Sequence, residues 1–317
     1  MWPLHVLHPG SVTVNLAISL RAGCRVRSGN GGFKVVARGS DFEKVAATPA
    51  ELLAEPRAAL VGSLLEAMEI REPLDIEIWS DVPFGSGLGG SSALTVALMG
   101  ALGRVAPRDL SGVDPVDFVR DVETRVLGKP AGVQDYYPPL YGGLQRIRFE
   151  AGATDAVREE VDPELWEKHL TLYDSGAAHS SGMNNWEIFR ARMEGDAAVA
   201  ERLEGVRRAA ADMAGAVAAR DFAAMGKALA EEWDARRLLA PVVSTPALER
   251  AIAAARQAGA WAGKACGAGG GGCVVFLSPA DRTGAVRNAL GFLGEGAVLP
   301  VSAENRGLEV TTTAPRP

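Results

Sequence analysis

From Pro83 to Ala93 the chain reads Pro-Phe-Gly-Ser-Gly-Leu-Gly-Gly-Ser-Ser-Ala, with glycine at positions 85, 87, 89 and 90 and two serines opening an apolar helical run. Glycine lets a backbone turn tightly and come close to a ligand. A helix start presents unpaired N–H groups and the positive end of the helix dipole. Hydroxyls such as those of Ser86, Ser91 and Ser92 can cap that helix or reach a phosphate or Mg²⁺. Together Pro83, Gly85, Ser86, Gly87, Leu88, Gly89, Gly90, Ser91 and Ser92 read as a phosphate cradle. The plainer alternative is a glycine turn capped by Ser91, but four glycines exceed what a simple turn requires.

Two familiar cradles do not fit. Gly85-x-Gly87-x-x-Gly90 has the spacing of the dinucleotide fingerprint, which also needs an acidic residue about 20 positions on, at the end of a second strand. That distance falls at Arg108-Asp109-Leu110-Ser111, which reads as a loop between helices. A Walker A loop needs Gly-Lys-Ser/Thr, and the nearest segment, Gly263-Lys264, continues with Ala265. No HRD or DFG segment of a protein kinase is present.

Three further segments carry chemical character. The first runs from Glu123 through Gly128, Lys129, Gly132 and Gln134 to Asp135, followed by Tyr141-Gly142-Gly143. The second has glycine at 267 and 269–272, just ahead of the apolar run Cys273 to Leu277. Such a run leaves no side chains on one surface, so another loop can pack on its backbone; a surface hairpin is the alternative. The third, residues 174–186, is rich in hydroxyl and amide donors (Asp174, Ser175, His179, Ser180, Ser181, Asn184, Asn185) that suit a polyhydroxylated ligand or simply cap the following helix.

In order and spacing these segments resemble the GHMP kinases, small-molecule kinases that include galactokinase and homoserine, mevalonate and phosphomevalonate kinases. The resemblance runs from about Pro9 to the end. The form around Gly128–Asp135 and Tyr141-Gly142-Gly143 is closest to the sugar-kinase branch that contains D-glycero-D-manno-heptose 7-phosphate kinase. It implies an α+β, two-domain fold and ATP-dependent phosphorylation of a hydroxyl or anomeric position of a sugar or sugar phosphate. Phosphoryl transfer needs positioning, a cation against the β/γ-phosphate charge and a carboxylate near the attacking hydroxyl. The resemblance gives Mg²⁺ to Ser92 and Glu123 and makes Asp135 the base, or the group that orients the acceptor. Lys129 either offsets phosphate charge or is a solvated lysine. Asp174, His179, Ser181, Gly269 and Gly270 are the expected substrate contacts. His179 stands where the related sugar kinases carry Arg, which an anionic sugar phosphate would favour, so this position speaks against a heptose phosphate.

Family members begin with a strand and an Ala-Pro-Gly-Arg-type loop, followed by a Gly-Gly-Thr-Asp-like segment; Met1-Trp2-Pro3-Leu4 stands past that region. The alternatives are a start internal to a longer protein or a shortened homologue. The patterned stretch 5–19 favours the first, and an exposed sheet edge with weak activity is expected. The rival functions are a catalytically impaired nucleotide-binding homologue and a kinase of a cyclitol or isoprenoid alcohol.

The elements that must position these residues follow from periodicity. Alternation over 11–20, a Gly-Asn-Gly turn at 29–31 and a return run at 33–37 read as strand-turn-strand. Helical periodicity covers 56–68, 91–105, 116–127, 196–239 (broken near 220–221), 245–258 and 281–293; strands are expected at 74–79, 144–149, 170–173, 274–277, 298–301 and 308–312. The small and charged residues of 151–160 read as a junction between two layered domains, 1–150 with the ATP cradle and 151–317.

Composition bounds the remaining classes. The 317 residues carry 33 Lys+Arg against 39 Asp+Glu, a formal charge of −6, with no basic cluster; this gives no footprint for nucleic acid. Three cysteines without a CxxC pair argue against a zinc site or disulfide framework. No secretory signal or spanning apolar run is visible. The expectation is a cytoplasmic monomer or homodimer, without nucleic-acid or membrane partners.

Overall fold

The computed structural model describes residues 4–83, 85–150, 152–177 and 181–313, without the side chains of 181–185. Three sheets and a set of helices form a mixed α+β fold. The first half contains β1 (Ser11–Leu16), β2 (Ala22–Ser28), β3 (Phe33–Ala37), β4 (Glu43–Ala46), α1 (Pro49–Leu53), α2 (Ala59–Ala67) and β5 (Leu74–Ser80). It continues with α3 (Gly90–Leu102), α4 (Pro115–Leu127), α5 (Tyr137–Tyr141), β6 (Leu144–Glu150) and β7 (Ala153–Glu159). The second half contains α6 (Pro163–Glu167), β8 (Leu170–Asp174), α7 (Ser181–Met193), α8 (Ala197–Ala218) and α9 (Phe222–Arg236). Then come α10 (Pro246–Gln257), β9 (Ala262–Ala265), β10 (Cys273–Leu277), α11 (Thr283–Gly291) and β11 (Ala297–Leu299).

The sheet that carries the cradle has the order β2-β5-β3-β4, with β3 parallel to β5 and the other pairs antiparallel. Leu74, Ile76 and Ile78 of β5 alternate inward and pack with Leu64, Leu65, Val96, Leu98 and Val119 of α2, α3 and α4, as period-2 and period-3.6 patterns require. The expected strand-turn-strand is corrected here. β2 and β3 are joined by the predicted turn but do not pair; β5 lies between them.

The expected junction at 151–160 is likewise a strand: β7 pairs antiparallel with β6 along its whole length. It edges the sheet β1-β6-β7. β1 forms the other edge, as expected near the N-terminus, but its residues are half-buried and α8 packs against it. The third sheet, β11-β8-β10-β9, is antiparallel and packs Tyr173, Val274 and Phe276 with Leu248, Ile252 and Val286 of α10 and α11. The long helical region breaks at Arg220, whose φ is +55°, and Asp221 then caps α9 through the Ala224 N–H.

Residues 302–308 form no strand, against expectation for 308 onward, yet bind the halves together. Glu304 N–H donates to the Ala17 carbonyl and Gly143 N–H to that of Glu304, at 2.9 and 2.7 Å. Among the described residues no helix is long and apolar enough to cross a membrane.

Candidate active site

β5 ends at Ser80, and the chain turns through the cradle into α3. Gly85, Gly87 and Gly89 have φ of +71°, +75° and +71°, the left-handed region that costs any other residue energy. Gly89 is the N-cap, and no side chain caps the helix. The first α3 amides are therefore open at a helix N-terminus, the arrangement that receives anions. The alternative of a Ser91-capped turn is excluded: the Ser91 and Ser92 hydroxyls instead donate to Glu123 Oε1 and Oε2, at 3.2 and 3.3 Å. The Tyr136 hydroxyl also donates to Glu123 Oε2. Glu123, on α4, is buried.

Asp135 lies in a 3₁₀ turn over Gln134–Tyr136, tied to β1 by Asn15 Nδ2 donating to the Gln134 carbonyl at 2.6 Å. A Cβ on Gly89 would stand 3.6 Å from Asp135 Cβ, so the carboxylate sits directly against the cradle. Crowding by protein atoms, and then the charge of Glu123, push the Asp135 carboxyl up to about 6, partly offset by a hydrogen bond from Gln134. By surface area the side chain is nevertheless exposed, because it faces an open cavity. Water there tempers the shift without changing its direction.

The glycine run of 267–272 packs backbone to backbone on the cradle. A Cβ on Gly87 would meet the Cys266 carbonyl oxygen at 2.6 Å, and one on Gly272 the Ser86 carbonyl oxygen at the same distance. Cys273 N–H donates to Ser86 O at 2.8 Å. The two loops thus frame a cavity of about 750 Å³, lined by Gly87, Leu88, Gly89, Asp135, Cys266 and Gly267, with Trp79 at the β5 end. Its floor is apolar, with Leu16, Leu144, Leu170, Leu172, Val275 and Leu277, and Arg21, Lys264 and Arg306 are the cations at its wall.

Of the expected residues, Gly87, Leu88, Gly89 and Asp135 line this cavity, and the other described ones, Ser92 and Glu123 among them, do not. Lys129 is half-buried beyond Gly128, the left-handed cap of α4, and does not line the cavity. Asp174 closes a local turn by accepting from Gly176 N–H at 3.0 Å and also stays off the wall. Gly269 and Gly270 face the Val243 carbonyl, which accepts from Gly270 N–H at 2.8 Å. His179 lies outside the described residues; Ser181 is the first residue of α7, and its side chain is likewise outside them. Tyr136 was not singled out from sequence, although its place immediately after Asp135 in a tight turn was the available signal. In the second motif, Cys266 and Gly267 line the cavity, and Gly269 and Gly270 do not.

Ser92 and Glu123 offer hard oxygen donors beside the open amides, a set that suits Mg²⁺ arriving with a phosphate ligand and keeping several waters. Among the described residues no three His, Cys, Asp or Glu side chains gather into a metal cage.

Comparison with known proteins gives the same picture. Residues 57–143 match the GHMP kinases N terminal domain and residues 213–296 the GHMP kinases C terminal domain. D-glycero-alpha-D-manno-heptose 7-phosphate kinase of Campylobacter jejuni is 29% identical over 214 residues, 65% of this chain and 62% of that protein. Galactokinase of Mycobacterium bovis is 27% identical over 236 residues, 65% of each. The chain thus aligns with a little under two thirds of the length of these relatives. Among solved structures, a D-glycero-D-manno-heptose 1-phosphate kinase from Bacteriodes thetaiotaomicron superposes with a TM-score of 0.73 at 21% identity, covering 98% of this chain and 94% of that one.

Proposed function

The chain belongs to the GHMP kinases, and from that premise we propose that it transfers the terminal phosphoryl group of ATP to a hydroxyl of a sugar or sugar phosphate, with Mg²⁺, in the cytoplasm. The observation that carries this reading is the uncapped N-terminus of α3 with Asp135 seated against Gly89. In this proposal the amides from Gly87 to Ser92 receive the phosphates, aided by the α3 dipole. Ser92 and Glu123 hold Mg²⁺, which when bound neutralises charge on the β- and γ-phosphates. Tyr136 and Ser91 fix the Glu123 carboxylate by hydrogen bonds.

Asp135 orients the acceptor hydroxyl and takes its proton as the bond to phosphorus forms. A carboxyl raised toward 6 is ionised at neutral pH yet basic enough to hold that proton, the condition for a general base. Residues 1–150 supply the cradle and both acids, and residues 151–317 supply the facing glycine loop and the floor. No role is assigned here to Lys129, Asp174, Gly269 or Gly270; Asp174 and Gly270 are engaged with Gly176 and Val243.

The test pairs calorimetry with an ADP-release assay over hexoses, heptoses, their phosphates and cyclitols. Binding heat with Mg·ATP and turnover of at least one acceptor are expected. Heat without turnover of any acceptor would leave a nucleotide-binding protein and remove the kinase reading.

A further inference from the structure

The cavity floor contains a charge that packing does not require. Of the residues of β8, β9 and β10 that line it, Leu170, Leu172, Val275 and Leu277 are apolar, and Lys264 alone is charged. Register places Lys264 beside Val275 and Val275 beside Leu172, so the lysine stands on the same sheet face as that apolar floor. Its side chain is 21% exposed, and its Nζ lies 2.9 Å from Oε2 of Glu232 on α9.

Glu232 is shared. Its Oε1 accepts from Arg236 Nε at 2.5 Å, one turn along α9. Burial works against the charge on Glu232, but Arg236 and Lys264 outweigh it and bring its carboxyl down to about 2. Lys264 is pulled the other way: burial lowers its pKa, and Arg236 adds to this against the attraction of Glu232. Two cations and one carboxylate leave a surplus positive charge. Lys264 borders this cavity, while Glu232 and Arg236 line a neighbouring one of about 190 Å³ that Lys264 also borders. A largely buried unmatched charge is costly until an anion completes it. The other cations of the wall are matched. Arg21 pairs with Glu304 at 2.8 Å, and Arg306 with Glu304 and Glu309 at 3.1 and 3.5 Å.

We propose that Lys264 holds the anionic substituent of the acceptor, so that the substrate class is a phosphorylated sugar in preference to a neutral one. This rests on the kinase reading: the acceptor spans one cavity from Asp135, where its hydroxyl reacts, to Lys264, where its phosphate is held. The nucleotide is the other possible source of phosphate, because Cys266, two residues on, abuts Gly87.

The experiment compares matched acceptors, hexose against hexose 6-phosphate and heptose against heptose 7-phosphate, in the unaltered protein and in Lys264→Met. The phosphorylated member is expected to have the lower KM in the unaltered protein. Lys264→Met leaves Glu232 paired with Arg236 on its own helix, and a thermal melt beside Lys264→Arg checks that the variant folds. It should raise KM for the phosphorylated acceptor by about 10- to 100-fold, the loss of one charge-assisted hydrogen bond, with a much smaller change in kcat and in KM for ATP. Lys264→Arg should restore part of the loss.

Preference for the neutral member in the unaltered protein overturns the inference without any variant. So does an effect of Lys264→Met confined to KM for ATP, or no effect on KM for the phosphorylated acceptor. Release of ADP with neutral acceptors only would keep the kinase reading and discard the anion site. No release with either kind would discard the kinase reading itself.

Discussion

Replacing Asp135 with Asn separates its chemical role from its electrostatic cost. The native carboxyl is raised from 3.8 to about 6, first by the protein atoms around it and then by Glu123. A carboxyl whose folded pKa exceeds its unfolded value binds more protons in the native state, so stability falls as pH rises between the two values. The penalty is absent below about pH 4 and complete above about pH 6. At 1.36 kcal/mol per unit, two units would give about 3 kcal/mol. Asp135 faces an open cavity, however, and solvent screening there reduces the expected figure to about 1 kcal/mol. Asp135→Asn removes the penalty. In metal-free, nucleotide-free buffer it should melt about 2–4 °C higher than the parent at pH 8 and at the same temperature at pH 4. Groups far from position 135 cancel in the comparison of the two proteins, so the difference reports this carboxyl and its immediate neighbours. The same variant should bind Mg·ATP but release no ADP, and the parent's kcat/KM should rise with pH through about 6. A stability gain equal at both pH values would refute the electrostatic argument, and full turnover by the variant would remove Asp135 from the reaction.

Other perturbations follow from the same geometry. Gly87→Ala would force a side chain into the left-handed region, costing about 1–2 kcal/mol, and would drive the new Cβ to 2.6 Å from the Cys266 carbonyl; loss of ATP binding with a lowered melting temperature is expected by calorimetry and thermal denaturation. Tyr136→Phe removes one of three donors to the buried Glu123 and should cost about 1.5–3 kcal/mol in denaturant unfolding. Gly142→Ala would place a Cβ 2.3 Å from the Asn305 carbonyl and should destabilise by more than 2 kcal/mol, while KM for ATP, read in any protein that still folds, stays unchanged.

What could be read from the sequence was local. Alternation in β5 and heptad-like spacing in α4 reflect faces that stay buried whatever their partners are, and both elements stand where the pattern puts them. Pairing was less legible. The Gly-Asn-Gly turn is a local signal, but insertion of β5 between β2 and β3 depends on strands some 40 residues apart, and no turn residue encodes that. β7 escaped notice because it is an edge strand with mostly exposed residues. It lacks the apolar alternation by which half-buried strands are recognised and carries the charges that edges use against aggregation.

The glycine motifs mark the limit more sharply. Their spacing says that some backbone must come close, and at Gly87, Gly142, Gly267, Gly269 and Gly272 one does. It does not say which backbone. Gly87 meets Cys266 and Gly272 meets Ser86, which builds the site, whereas Gly269 meets Val243 and Gly142 meets Asn305, which builds only the frame. A contact between main-chain atoms leaves no side-chain signature on its partner, so chemically identical glycines divide into those that pack on the cradle and those that pack elsewhere only once the chain is folded. Lys264 is the converse case. Its type and its neighbours Gly263 and Ala265 told nothing, and its significance comes from an apolar sheet face and from a carboxylate 32 residues away that already has a partner. His179 replaces an expected arginine in the polar run, yet the cationic end of the cavity is set on β9. In the proposal above, the charge that meets the acceptor is therefore read from where the fold presents Lys264 and not from the position at which an arginine was expected.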